Sequence, residues 1–210
     1  EIIPYFAVAD ERFIHQQYAL WTSHKWPNAF RALREFDYDN VLYVDTDTLF
    51  QKDPEYLFEK YGNTDAIYGM QDVSDKYTKI FEAKNQGMND GQFLLSRHVL
   101  KYEQDILSER INYVLRLQEK FKNEKDEDLL INGIQWVSCQ YAISEYLYEI
   151  GNPLRLFDNS DIYIVHKMNE FLDLTQEERE GFALIHYLNY NTQYFFPEIW
   201  QYCIAKNKRV

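Results

Sequence analysis

The chain has 210 residues, 46% of them hydrophobic and 17% aromatic, which suits one domain of ordinary size with a real core and excludes general disorder. Its formal net charge of −12, from 22 basic against 34 acidic side chains, argues against a nucleic-acid backbone as the main partner. Two cysteines, Cys139 and Cys203, follow no metal-ligand spacing, and no apolar run reaches membrane-spanning length, so the expected setting is the cytoplasm, or a soluble domain of a larger protein.

Residues 2–9 read as a first strand with Pro4 near its start, where a missing amide does least harm. Asp10-Glu11 ends it and opens a helix over 12–24. Pro27 divides that helix from a second over 28–36, because the residue before a proline is pushed out of the helical region. Lys25, at the break, is either a cation within reach of a phosphate or an ordinary solvated lysine.

Residues 41–44, β-branched and aromatic after the turn Asp37-Tyr-Asp39-Asn40, predict a buried strand. Asp45 and Asp47 follow at its carboxyl end, where open α/β sheets bind ligands. Side chains two apart on an extended segment point the same way, so both carboxylates can face one hard cation, and that cation can hold a diphosphate. The bland alternative is a solvated acidic turn. Asp53-Pro54-Glu55 reads as a cap, a first-turn proline and a dipole-favoured acid opening a helix over 55–61.

Residues 65–69 predict another strand, and 71–88 a long polar connection of the kind that carries ligand contacts. Asn89-Asp90-Gly91 is a turn signal before a strand at 92–95, which makes Asp90 a plain turn residue or a pocket edge. A helix over 99–122 is expected to bury Leu107, Ile111, Val114 and Leu115. A second, over 135–150, aligns Trp136, Cys139, Ile143, Tyr146, Leu147 and Ile150 until Gly151-Asn152-Pro153 stops it, with Cys139 as a small buried hydrophobe. Strands at 161–165 and 182–186 deliver His166 and His186 at or beside their ends, and a capping box, Thr175-x-x-Glu178, opens a short helix between them. A last helix is expected over 197–205.

Lys25-Trp-Pro27, the segment 29–36 and Val41-Leu-Tyr-Val-Asp45-Thr-Asp47-Thr-Leu-Phe50 together resemble the metal-dependent nucleotide-sugar glycosyltransferases of the GT-A type, closest in pattern to families 34 and 8. Met88-Asn89-Asp90-Gly91-Gln-Phe-Leu-Leu-Ser-Arg97 is similar to the Asn-x-Gly strand lining the donor-sugar pocket of that group. Phe182-Ala-Leu-Ile-His186 is similar to its late strand that gives a histidine to the metal. The resemblance implies an α/β fold over 1–210, a single GT-A domain or a fragment of a longer chain, with a central mixed sheet flanked by helices. It implies a transferase of the hexosyltransferase class, moving a sugar from a nucleoside-diphosphate sugar, a UDP-sugar first among them, to a hydroxyl of a glycan or other acceptor.

In that reading Mn²⁺ or Mg²⁺ is held by Asp45, Asp47 and His186. The donor is contacted by Ala9, Asp10, Lys25, Thr46, Asn89, Asp90, Gly91 and Gln140, while Lys25 and Asp90 serve catalysis as fixed charge and candidate base. Two departures stand out. Cys139-Gln140 replaces an Asp-Gln pair, and Tyr187-Leu-Asn-Tyr190-Asn191 replaces a Gly-x-x-Lys-Pro segment, leaving Lys25 as the cation nearest in role for the diphosphate. The rivals are a haloacid-dehalogenase-type phosphotransferase with Asp45 as nucleophile and Asp47 as acid, and a non-catalytic sugar-binding module.

Overall fold

The computed structural model describes residues 25–71, 76–85, 87–152 and 154–187. The strand expected at 2–9, the helices expected at 12–24 and 197–205, and with them Ala9, Asp10 and Cys203, lie outside the described residues. The fold is mixed α/β. In chain order its elements are α1 (Lys25–Glu35), β1 (Asn40–Val44), β2 (Thr48–Phe50), α2 (Glu55–Tyr61), β3 (Tyr68–Gln71), α3 (Lys76–Phe81), β4 (Met88–Ser96), α4 (Glu103–Lys120), α5 (Ser138–Glu149), β5 (Arg155–Leu156), β6 (Ile162–Val165), α6 (Met168–Leu172), α7 (Gln176–Gly181) and β7 (Leu184–Tyr187). No helix among the described residues is long and apolar enough to cross a membrane. The described residues divide into two compact units, one from Lys25–Tyr43 with Tyr61–Leu156, the other from Val44–Lys60 with Phe157–Tyr187.

The first unit is built on a four-stranded sheet of order β1-β4-β3-β5, with β3 antiparallel to β4 and parallel to β5. Helix α1 buries Trp26, Ala29, Phe30 and Leu33, one stripe at helical spacing. It begins before Pro27 rather than after it, because a proline in the first turn gives up an amide that has no partner inside the helix anyway. Trp26 stacks on Phe93 of β4 with ring centroids 4.1 Å apart, and Tyr43 stacks on Phe93 at 5.0 Å. Strand β1 is half-buried rather than buried, since among the described residues only β4 flanks it.

Strand β4 is buried along its whole length and takes in Asn89-Asp90-Gly91, where a turn was expected. The turn chemistry is spent on a break in register instead. Gly69 pairs with Phe93 but Met70 pairs with Asn89, so Asp90, Gly91 and Gln92 bulge out of the ladder. The expected connection at 71–88 contains α3, whose Tyr77 and Phe81 join Tyr113, Leu117, Leu129, Leu130, Ile134 and Tyr141 in a second apolar cluster.

A 3₁₀ segment, Arg97–Tyr102, leads into α4, whose buried stripe is Ile106, Arg110, Tyr113 and Leu117. The expected stripe is therefore rotated: Leu115 is exposed and Ile111 and Val114 are half-buried. Tyr113 and Leu117, outside the expected stripe, pack in the second apolar cluster instead. The helix expected from 135 begins earlier, as a π-helical stretch Leu129–Val137 that runs into α5. Helix α5 ends where expected, at Gly151, whose φ of +71° suits a residue without a Cβ. Its Ile150 is less buried than the pattern implied.

The second unit holds a three-stranded sheet of order β2-β7-β6, with β2 antiparallel and β6 parallel to β7. Leu49, Tyr163, Val165, Phe171, Ile185 and Tyr187 form its apolar cluster. Asp53 caps α2 by accepting from the Glu55 amide at 3.0 Å, and the Thr175–Glu178 capping box of α7 is complete. Asp161 ties the unit together. Its carbonyl accepts from the Ala183 and Leu184 amides, and its carboxylate accepts from the Tyr56 hydroxyl at 2.8 Å and from Lys60 Nζ at 2.6 Å. Replacing Asp161 with Ala strips both donors of a buried acceptor and should lower stability by about 2 kcal/mol, below the full cost of a broken buried pair because Lys60 stays partly solvated. A urea midpoint indistinguishable from wild type would contradict this role.

Candidate functional site

Asp45-Thr46-Asp47 forms the turn that joins β1 to β2. The two carboxylates were expected to face one way because an extended chain repeats every two residues. It is the turn, together with a neighbouring strand, that makes them converge. The Tyr187 amide donates to the Asp47 carbonyl at 2.8 Å, fixing the end of β7 beside the turn, and Thr48 lies directly across the ladder from His186. Asp45, Asp47 and His186 thereby each offer one ligand atom, and these atoms all lie within 4.8 Å of one another. Asp47 and His186 are buried and Asp45 half-buried, while Thr46 is exposed.

Asp47 Oδ1 sits 3.3 Å from His186 Nε2. Neither this oxygen nor His186 Nδ1 nor the hydroxyl of Thr48 has a hydrogen-bond partner, although all three are sealed from solvent. Buried polar atoms normally find partners, and a carboxylate oxygen pays heavily when it does not. Two carboxylates and an imidazole are a donor set for a divalent ion such as Mn²⁺. Bonds of roughly 2.1 Å set such ligands about 3–4 Å apart, a small adjustment from the present spacing. The residues fit the ion, and three protein ligands would leave positions open on it for phosphate oxygens.

In the first unit Lys25 and Asp90 meet. Lys25 Nζ lies 3.3 Å from the Asp90 carbonyl and 3.5 Å from its Oδ1, and it also lies over the ring of Tyr43. Both side chains are nearly buried, and Asp90 Oδ2 has no hydrogen-bond partner. Asn89 Oδ1 accepts from the Gly91 amide at 3.0 Å, so the polar side chain shapes the bulge that carries Asp90. Gln92, fully buried in the same bulge, has neither amide atom bonded, a feature the sequence did not single out. Gln140 is half-buried on α5. Beside it the thiol of Cys139 is pushed up by burial and by the charge of Asp90, with Arg110 and Lys25 acting in the opposite direction. His166 lies at the end of β6 outside the Asp45, Asp47 and His186 group.

No protein-family model matches the chain, and no curated protein matches it either. Solved structures are similar to it. Mouse xyloside xylosyltransferase 1 in its apo form is 14% identical with a TM-score of 0.46, over 83% of this chain and 73% of that one. A glycosyltransferase involved in glycosylation of the major capsid of PBCV-1 is 12% identical with a TM-score of 0.43, over 87% and 73%. The galactosyltransferase LgtC, in complex with donor and acceptor sugar analogs, is 17% identical with a TM-score of 0.41, over 73% and 54%. All three of these proteins are glycosyltransferases.

Proposed function

We propose that this chain is a glycosyltransferase acting on a nucleoside-diphosphate sugar, a UDP-sugar first among them, with a divalent ion, Mn²⁺ or Mg²⁺, held by Asp45, Asp47 and His186. The observation that carries this reading is the convergence of three ligand atoms around buried polar atoms that lack partners. A divalent ion bound there would act as a Lewis acid, offsetting the charge that builds on a leaving diphosphate. It would also let a chain of net charge −12 bind a polyanion.

The protein's own part is to hold ligands ready. Asp47 is fixed through its carbonyl by the Tyr187 amide, and His186 is held by its strand, so ion binding would ask for side-chain adjustment on a backbone already in place. The same reading gives Lys25 the donor phosphates and Asp90 the donor sugar, with contributions from Thr46, Asn89, Gly91 and Gln140. Support for Asp90 is its Oδ2, a buried acceptor that has no hydrogen-bond partner. In an inverting transfer the acceptor oxygen would bond to the anomeric carbon as its proton passes to that carboxylate, while the sugar–phosphate bond breaks and its electron pair leaves with the diphosphate.

Release of UDP from UDP-sugars should require Mn²⁺, stop with EDTA, and fall at least about 100-fold in Asp47→Asn, given what one transition-state charge contact is worth. Hydrolysis of simple phosphate esters without UDP release would instead make Asp45 a phosphorylated nucleophile and overturn the proposal. Mn²⁺ with UDP, each at roughly 100 times its Kd, should stabilise by about 2.7 kcal/mol or more, a rise in Tm of roughly 5–10 °C for a chain of this size. His186→Ala should lose that rise. A rise without turnover on any UDP-sugar would favour the binding module.

A further inference from the structure

We propose that Thr48 is a positioning residue for the metal group. Its hydroxyl accepts the Nδ1–H of His186, directly or through one water, and so turns Nε2 toward the ion. This rests on the reading that Asp45, Asp47 and His186 hold a divalent cation.

Ladder geometry comes first. Tyr187 donates to Asp47, and three positions before His186 the Ala183 carbonyl accepts from Gln51. Hydrogen-bonded and non-hydrogen-bonded pairs alternate along an antiparallel ladder, so 47 with 187 and 51 with 183 make Thr48 and His186 a non-hydrogen-bonded pair. Such pairs bring their side chains closest, on one face of the sheet. On its other side His186 is paired with Ile164 of β6, which offers only hydrocarbon. The polar side chain directly across from the imidazole is therefore Thr48.

Proton placement comes next. Nε2 is the ring nitrogen beside Asp47, and an ion bound through its lone pair leaves the proton of the neutral ring on Nδ1. That N–H needs an acceptor, and metal-bound histidines regularly find one in an oxygen that fixes their tautomer and orientation. Thr48 Oγ1 and His186 Nδ1 are both sealed from solvent and both lack partners, so as they stand they are not bonded to each other. A threonine hydroxyl moves between staggered positions by rotation about one bond, and that motion or a bridging water couples the two. Threonine also suits a strand for its β-branching alone. Valine keeps that shape and removes only the hydroxyl.

The test uses the full chain with Mn²⁺ alone, its binding measured by calorimetry. Thr48→Val should bind Mn²⁺ about 10–100-fold more weakly, the usual effect of losing a group that orients a metal ligand. Its urea midpoint without metal should be equal to or above that of wild type, and Thr48→Ser should restore most of the affinity. With Mg²⁺ as a diamagnetic probe, the ¹⁵N signals of His186 should report one tautomer, protonated at Nδ1, in wild type and a mixture in Thr48→Val. Equal Mn²⁺ affinity in wild type and Thr48→Val overturns the role of Thr48 and leaves the metal reading intact. A wild type that binds no Mn²⁺ overturns both.

Discussion

The pairing of β2 with β7 is the constraint on which the candidate site depends. Asp47 and His186 come from opposite ends of the described chain, and closing a loop of that length has an entropic cost that their mutual contact, at 3.3 Å, does not offset. The offset comes from the apolar face of the same short sheet, where Leu49, Ile185, Tyr187, Val165 and Phe171 pack together. Alternation of side chains then sends Thr48 and His186 to the other face. One three-residue ladder thus settles both what is buried as hydrocarbon and what is gathered as ligand, and a slip of one residue would exchange the two sets.

In the first unit a local signal serves a different end from the one it usually marks. Asn89-Asp90-Gly91 has turn composition, yet the chain continues in β4 on both sides of it. Asn89 uses its side-chain oxygen to take the Gly91 amide, as in an Asx turn, and the ladder with β3 absorbs three extra residues. A bulge of this kind can re-aim a side chain from inside a buried strand. Here it sets Asp90 against Lys25 at the start of α1, within a strand otherwise packed by Phe93 and Leu95.

What could be read from the sequence follows the range over which each signal acts. Strand β1, helix α2, the Thr175–Glu178 cap and the stop at Gly151 rest on a few adjacent residues, and their chemistry decides them locally. Helix α4 is rotated from the expected stripe because Tyr113 and Leu117 are drawn into the apolar cluster they face, a matter of tertiary packing rather than of local pattern. The π-helical stretch Leu129–Val137 carries no distinct periodicity of its own, so only its continuation as α5 was legible. In the candidate site, Asp45, Asp47 and His186 stand out by residue type at strand ends. Thr48 does not. Its place opposite His186 is a matter of register, although its position straight after the Asp-x-Asp was a cue. The Lys25–Asp90 pair is likewise a product of tertiary structure, joining two residues that the sequence singled out separately.

Two buried aspartates in the second unit let one judge whether the acidic turn is merely structural. Asp161 has both carboxylate oxygens engaged, one by the Tyr56 hydroxyl and one by Lys60, and its carbonyl takes two amides from the start of the β7 strand. That is how a buried carboxylate looks when its work is to hold a fold together, because every acceptor must be matched once water is gone. Asp47 is buried to a similar degree, yet its Oδ1 faces only an imidazole edge at 3.3 Å, with a second carboxylate, Asp45, close by. Two acids brought this close repel one another, and burial makes the repulsion stronger. A turn selected for shape alone would gain by turning either acid to solvent. A divalent ion bound there would relieve the conflict, because the attraction of each carboxylate to the ion outweighs their repulsion, and it would give Asp47 Oδ1 the partner it lacks.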